Sequence, residues 1–107
     1  MGLGPNYSTN VSEPTYLGAP TAYLVAKNFP NPFNPITTIA YSIPTAGNVK
    51  VAIFDVTGRE VATLVNSHLD AGSYSVAWDG SQSASGIYFY RVTVGNLNYT
   101  NRMVLLK

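Results

Sequence analysis

The sequence predicts an all-β fold, an antiparallel β-sandwich of about seven strands. From residue 22 onward the apolar residues recur with period two, turn-forming residues punctuate the runs at short intervals, and no segment sustains a 3.6-residue period. The runs are residues 22–27, 37–43, 48–55, 60–65, 73–78, 87–94 and 97–106, each rich in Val, Ile, Tyr, Phe or Thr. Between them stand Pro44-Thr45-Ala46-Gly47, Asp55-Val56-Thr57-Gly58, Asp70-Ala71-Gly72, Asp79-Gly80 and Gly95-Asn96, all chain-reversing combinations.

Alternation assigns the faces. Ile39, Tyr41 and Ile43, then Val49, Val51 and Ile53, then Tyr74, Val76 and Trp78 share one phase and are predicted to meet in the core. The last hairpin can be read in register, because a two-residue Gly95-Asn96 turn pairs Val94 with Leu97, Val92 with Tyr99, Tyr90 with Asn101 and Tyr88 with Met103. The opposite face then pairs Thr93 with Asn98, Arg91 with Thr100, Phe89 with Arg102 and Ile87 with Val104. That face is polar at the turn and apolar toward the chain end.

The segment NFPNPFNP, residues 28–35, precedes the first clean alternating run. Three prolines remove three N–H donors and restrict the residues before them, so this segment is neither a helix nor a central strand. It is predicted to be a stiff polyproline II lead-in whose two phenylalanines plug the sandwich and which shields an open sheet edge.

Composition bounds the organisation and the function. At 107 residues, 46% hydrophobic and 10% charged, the chain suffices for one domain and not for two. The net charge of +1 is spread singly along the sequence, so no basic patch points to nucleic acid. There is no cysteine, which excludes a disulfide framework and leaves the compartment open. Residues 1–21 include thirteen Gly, Pro, Ser, Thr or Asn and are expected to be a flexible linker, with the folded domain over residues 22–107. Such a neutral linker fits a module carried behind a larger exported protein.

No constellation for catalysis, metal or cofactor binding emerges. His68 is the only histidine, and its neighbours Ser67 and Asp70 do not make a nucleophile–base pair by adjacency alone. The loop Gly80-Ser81-Gln82-Ser83-Ala84-Ser85-Gly86 leads into a strand, where a nucleophile elbow leads into a helix. Asp55, Asp70 and Asp79 each occupy a turn, where their side chains bond the backbone. Trp78, Tyr41, Tyr74, Tyr88 and Tyr90 fall on the inward phase, so they are expected in the core and not on a sugar-stacking platform.

The segments NFPNPFNPITTIAYSIP, VKVAIFDVTGREVATLV, AGSYSVAWDG, SGIYFYRVTVGN and the terminal RMVLLK, in this order, resemble the type A C-terminal sorting domain of the type IX secretion system of Bacteroidota and their relatives. The resemblance runs from about Asn28 to Lys107. It implies an Ig-like sandwich at the end of a larger secreted protein, with a covalently linked N-terminal cargo module and a role as an address. It further implies recognition by the outer-membrane secretion translocon and shuttle proteins, and removal in many members by a sortase-like cysteine protease. Carried over by position, the signal elements are Gly72 in AGSYSV, Gly86, Ile87 and Tyr88 in SGIYFY, and the tail Arg102, Met103, Val104, Leu105, Leu106 and Lys107. The chain has Asn101-Arg102 where family tails often carry a lysine pair. Combined with the hairpin phase, Ile87, Phe89, Val104 and Leu106 form an outer apolar patch rimmed by Arg102 and Lys107. This patch, or the edge of the terminal strand, is the expected grip. Two further readings stand beside it: a structural Ig-like module similar to that of the flagellar hook-capping protein, and a carbohydrate-binding module.

Overall fold

Residues 14–107 are described by the structure, a computed structural model. They form eight strands: β1 Thr15–Gly18, β2 Val25–Phe29, β3 Ile36–Ile43, β4 Gly47–Asp55, β5 Glu60–Leu69, β6 Gly72–Asp79, β7 Gly86–Val94 and β8 Leu97–Leu105. One sheet has the order β1-β6-β3-β2 and the other β5-β4-β7-β8, with every ladder antiparallel. Three hairpins, β2–β3, β4–β5 and β7–β8, are joined by chain crossings between the sheets, so each sheet has strands from both halves of the chain.

The inward phase read from the sequence is the core. Ile39, Ile43, Val49, Val51, Ile53 and Val92 are fully buried, and Tyr41, Tyr74, Val76, Trp78, Tyr88, Tyr90 and Met103 are buried with them. All nine pairs of the β7–β8 hairpin have the register that the Gly95-Asn96 turn dictates. Two buried tyrosines end their rings on backbone carbonyls four residues upstream: the Tyr74 hydroxyl donates to Asp70 O (2.7 Å) and the Tyr88 hydroxyl to Ala84 O (2.6 Å). Each ring thereby fixes the loop that leads into its strand, as the tyrosine corner does in β-sandwiches.

Two sequence expectations change. The strand count is eight among the described residues, because Thr15–Gly18, inside the stretch read as linker, pairs with β6. The reason is a long-range apolar contact that composition hides: the Tyr16 ring meets Tyr74 edge-on at 5.5 Å, over the surface of Gly72. The part of the linker over residues 1–13 lies outside the described residues. The proline segment, in turn, carries cis peptide bonds at Phe29-Pro30, Asn31-Pro32 and Asn34-Pro35 and does not plug the sandwich with both phenylalanines. Only one of its phenylalanines is a plug. Phe33 is 2% exposed, whereas Phe29 is 77% exposed on the outer face of β2. Thr37 ties the segment to β3, its hydroxyl donating to Pro30 O at 2.9 Å and accepting from Asn28 Nδ2 at 3.2 Å.

The turns carry acid sensitivity. Asp55 Oδ1 accepts from the Thr57 hydroxyl (2.6 Å), the Thr57 amide (2.9 Å) and the Arg59 amide (3.1 Å), with the Arg59 guanidinium 3.3 Å from Oδ2. These bonds, the Thr57 hydroxyl first, hold its carboxyl below the ordinary value. Ser81 does the same for Asp79, and Thr63 with Lys50 for Glu60. A carboxylate depressed in the folded state stabilises fully above its unfolded pKa, roughly 4 to 4.5, and that contribution is lost as pH falls through the folded value. Thermal midpoints are therefore expected to be level from pH 7 to about 5 and to decline below that, with Asp55→Asn removing part of the decline. Identical acid profiles for the wild type and Asp55→Asn would show that the Asp55 turn contributes nothing.

Candidate functional site: the terminal hairpin and its edge

At the end of the β5-β4-β7-β8 sheet, Gly86 pairs with Leu105, Ile87 with Val104, Tyr88 with Met103 and Phe89 with Arg102. Alternation splits these residues between two jobs. Tyr88, Met103 and Leu105 point inward, the last two with no exposure at all. Ile87, Phe89, Arg102 and Val104 point outward, joined by Leu106 just past β8; Ile87 is 38% and Leu106 53% exposed, and Phe89 and Val104 are half-buried. The outer patch is thus open to solvent, with the Arg102 side chain exposed within it.

The ends of this hairpin are fixed by specific bonds. Gly86 starts β7 with φ of +151°, a backbone conformation that a side chain resists. The amide of Lys107 donates to Ser85 Oγ at 3.0 Å and its ammonium to Ser81 O at 2.6 Å. The same ammonium helps to hold the Asp79 carboxyl below its ordinary value, after the larger effect of Ser81. The last residue is therefore fastened to the loop that precedes β7.

β8 is the last strand of its sheet, and its outer edge is filled at this end. Asn31 Oδ1 accepts from the Val104 amide (3.1 Å) and Asn31 Nδ2 donates to Arg102 O (3.4 Å). The Phe33 amide donates to Val104 O and Phe33 O accepts from the Leu106 amide, both at 2.9 Å, as a parallel bridge to Leu105. The Asn31 carboxamide supplies one donor and one acceptor in the place of a peptide unit. Beneath it, the Phe33 ring packs against Trp78 with centroids 5.7 Å apart.

Of the residues singled out from sequence, Gly86, Ile87, Tyr88, Phe89 and Arg102 through Lys107 come together here. Gly72 does not: it begins β6 at the far end of the other sheet, about 20 Å or more from this site along the strand. It serves β1 there, since a Cβ at Gly72 would lie 2.7 Å from a Tyr16 ring carbon and 3.2 Å from Gly18 O. The side chains that sequence reasoning did not place here are Asn31 and Phe33. Their signal was the proline segment's reading as an edge shield; which edge it covers depends on contacts more than seventy positions apart in the chain.

What the site offers chemically is a binding surface: a row of apolar side chains with a guanidinium among them. His68 stands exposed at the end of β5 opposite Asn48, on a different strand. Of the aromatic rings weighed for a sugar platform from the sequence, Trp78 is 6% and Tyr41 2% exposed and both belong to the core, whereas Tyr16, Tyr23 and Phe29 are exposed.

A family model for the secretion system C-terminal sorting domain matches residues 27–106, from within β2 to the residue after β8. No curated protein and no solved structure matches the chain.

Proposed function

The chain belongs to the secretion system C-terminal sorting domains, and from that membership we propose how its address is read: the type IX machinery grips the outer face of the β7–β8 hairpin. The domain is a sorting signal for type IX secretion, and it marks the protein that carries it for export to the cell surface or release. The machinery that recognises it is the type IX system; the finer partners we assign are the outer-membrane translocon and its shuttle proteins, followed by a sortase-like cysteine protease.

The observation that carries the reading is the exposure of Ile87 and Leu106 on the same face as the exposed Arg102. Apolar side chains left in water at a strand end, with an arginine at the rim, make the kind of exposed patch that marks a protein interaction site. Recognition by strand addition at this end of β8 is disfavoured, because the outward backbone groups from Arg102 O to Leu106 N are already bonded by Asn31 and Phe33. Val104 and Leu106 support the face, while Met103 and Leu105 keep it in place from below.

The test is export of a fluorescent cargo, fused behind a signal peptide to the full 107-residue chain, in a bacterium with this secretion system. Ile87→Ser combined with Leu106→Ser is expected to cut surface delivery by at least about tenfold, the loss of about 1.4 kcal/mol of contact, while the fusion stays folded in the periplasm. Full delivery by the folded double variant would refute the face reading.

A further inference from the structure

Asn31 and Phe33 do something that neither the sorting role nor the tail motif requires: they complete the edge of β8 with groups drawn from the opposite end of the domain. We infer that Asn31 is a positioning residue of the sorting signal, holding Val104 and Leu106 on the readable face by standing in for a ninth strand. The inference rests on the reading that this face is what the machinery grips.

A terminal strand has a weakness that an internal one lacks. Its backbone is bonded on one side only, so its last residues fray readily unless something bonds the other side. Here β7 holds one side of the tail, and the other side receives four hydrogen bonds from Asn31 and Phe33 between Arg102 O and Leu106 N. Val104 and Leu106, whose side chains form the patch, are the two residues whose amides are captured. Edge capture and face presentation therefore act on the same two residues: freeing the amide of Val104 would let its side chain leave the row with Ile87. Asn31 is exposed and makes these bonds with its side chain, so it can be changed without opening the core. Phe33 is buried, and its replacement would confound position with folding.

The surroundings support one surface built from both segments. Pro30, Pro32, Phe33 and Asn34 line a recess of about 310 Å³ together with Leu106 and Lys107. The exposed side of Leu106 thus faces a wall made by the proline segment. A neighbouring asparagine provides the control: among the described residues the Asn28 side chain bonds only Pro30 O and Thr37 Oγ1 and does not reach the tail.

The experiment compares the wild type with Asn31→Ala, Asn31→Asp and Asn28→Ala in the full chain, by backbone amide exchange and by cargo export. Asn31→Ala is expected to speed exchange at Val104 about tenfold, with core amides such as Val92 unchanged, and to lower export in step. Asn31→Asp keeps the acceptor for the Val104 amide and is expected to restore most of the protection there, whereas Asn28→Ala changes neither readout at the tail. Unchanged exchange at Val104 in Asn31→Ala overturns the inference whatever export does. Faster exchange with full export overturns it too, and if Ile87→Ser with Leu106→Ser still blocks delivery, the face reading survives alone. Full export by that double variant would instead remove the face reading and this inference together.

Discussion

Leu105→Ala is expected to destabilise the domain by about 2–5 kcal/mol, lowering its thermal midpoint on the order of 10–40 °C. The side chain has no exposure, and it packs over the floor formed by Gly80, where a Cβ would lie 3.1 Å from Leu105 Cδ2. Removing three carbons there leaves a void lined by backbone and by the Phe33 ring, which cannot relax far because Phe33 is bonded through its own backbone to β8. Circular dichroism melts of the two proteins would measure it. A loss under about 1 kcal/mol would mean that the tail is an appendage and not part of the sandwich.

This placement changes how a tail deletion has to be read. Removing residues 104–107 discards Leu105 from the core, the Val104 and Leu106 bonds to the proline segment and the Lys107 bonds to the loop before β7. Such a truncation is expected to unfold the domain, so lost export would report folding as much as recognition. Substitutions confined to the outward phase separate the two, because Ile87 and Leu106 contribute little to the core. On the proposed reading, the address and the last core strand are the same residues seen from opposite sides.

How much of this was legible in the sequence follows from what each feature depends on. The β7–β8 register was readable because a two-residue turn leaves one pairing, and period two then fixes which of Tyr88 and Phe89, or Met103 and Val104, faces inward. The nine predicted core positions on β3, β4 and β6 rest on the same local rule. β1 was not readable, since Thr15–Gly18 gains its place from one tyrosine ring fitting over Gly72 and Tyr74, a contact across more than fifty positions of chain. The proline segment was half legible. Missing N–H groups mark it as something other than a strand interior, but the choice between Phe29 and Phe33 is settled by tertiary packing. Asn31 is the extreme case: an exposed asparagine between two prolines carries no sign that its carboxamide will meet the backbone of Arg102 and Val104.

Phe33→Ala is expected to cost about 3–5 kcal/mol, the range for deleting a buried aromatic side chain. The ring is 2% exposed and lies tilted against Trp78, which in turn meets Tyr88 edge-on at 5.3 Å, so its loss opens the chain of aromatic contacts that ends under the terminal hairpin. The substitution retains the Phe33 backbone, and with it the means to bond Val104 and Leu106, but removes the anchor that holds that backbone against β8. Its effect should therefore not add to that of Leu105→Ala. Both side chains lie against Gly80, and the void left by one is shared by the other, so the double variant is expected to lose less than the sum of the single losses, by about 0.5–3 kcal/mol. Urea melts of the four proteins close the cycle. Strict additivity would mean that the proline segment and the tail are fastened to the sandwich independently, and the account of Asn31 and Phe33 as the partner of β8 would lose its energetic basis.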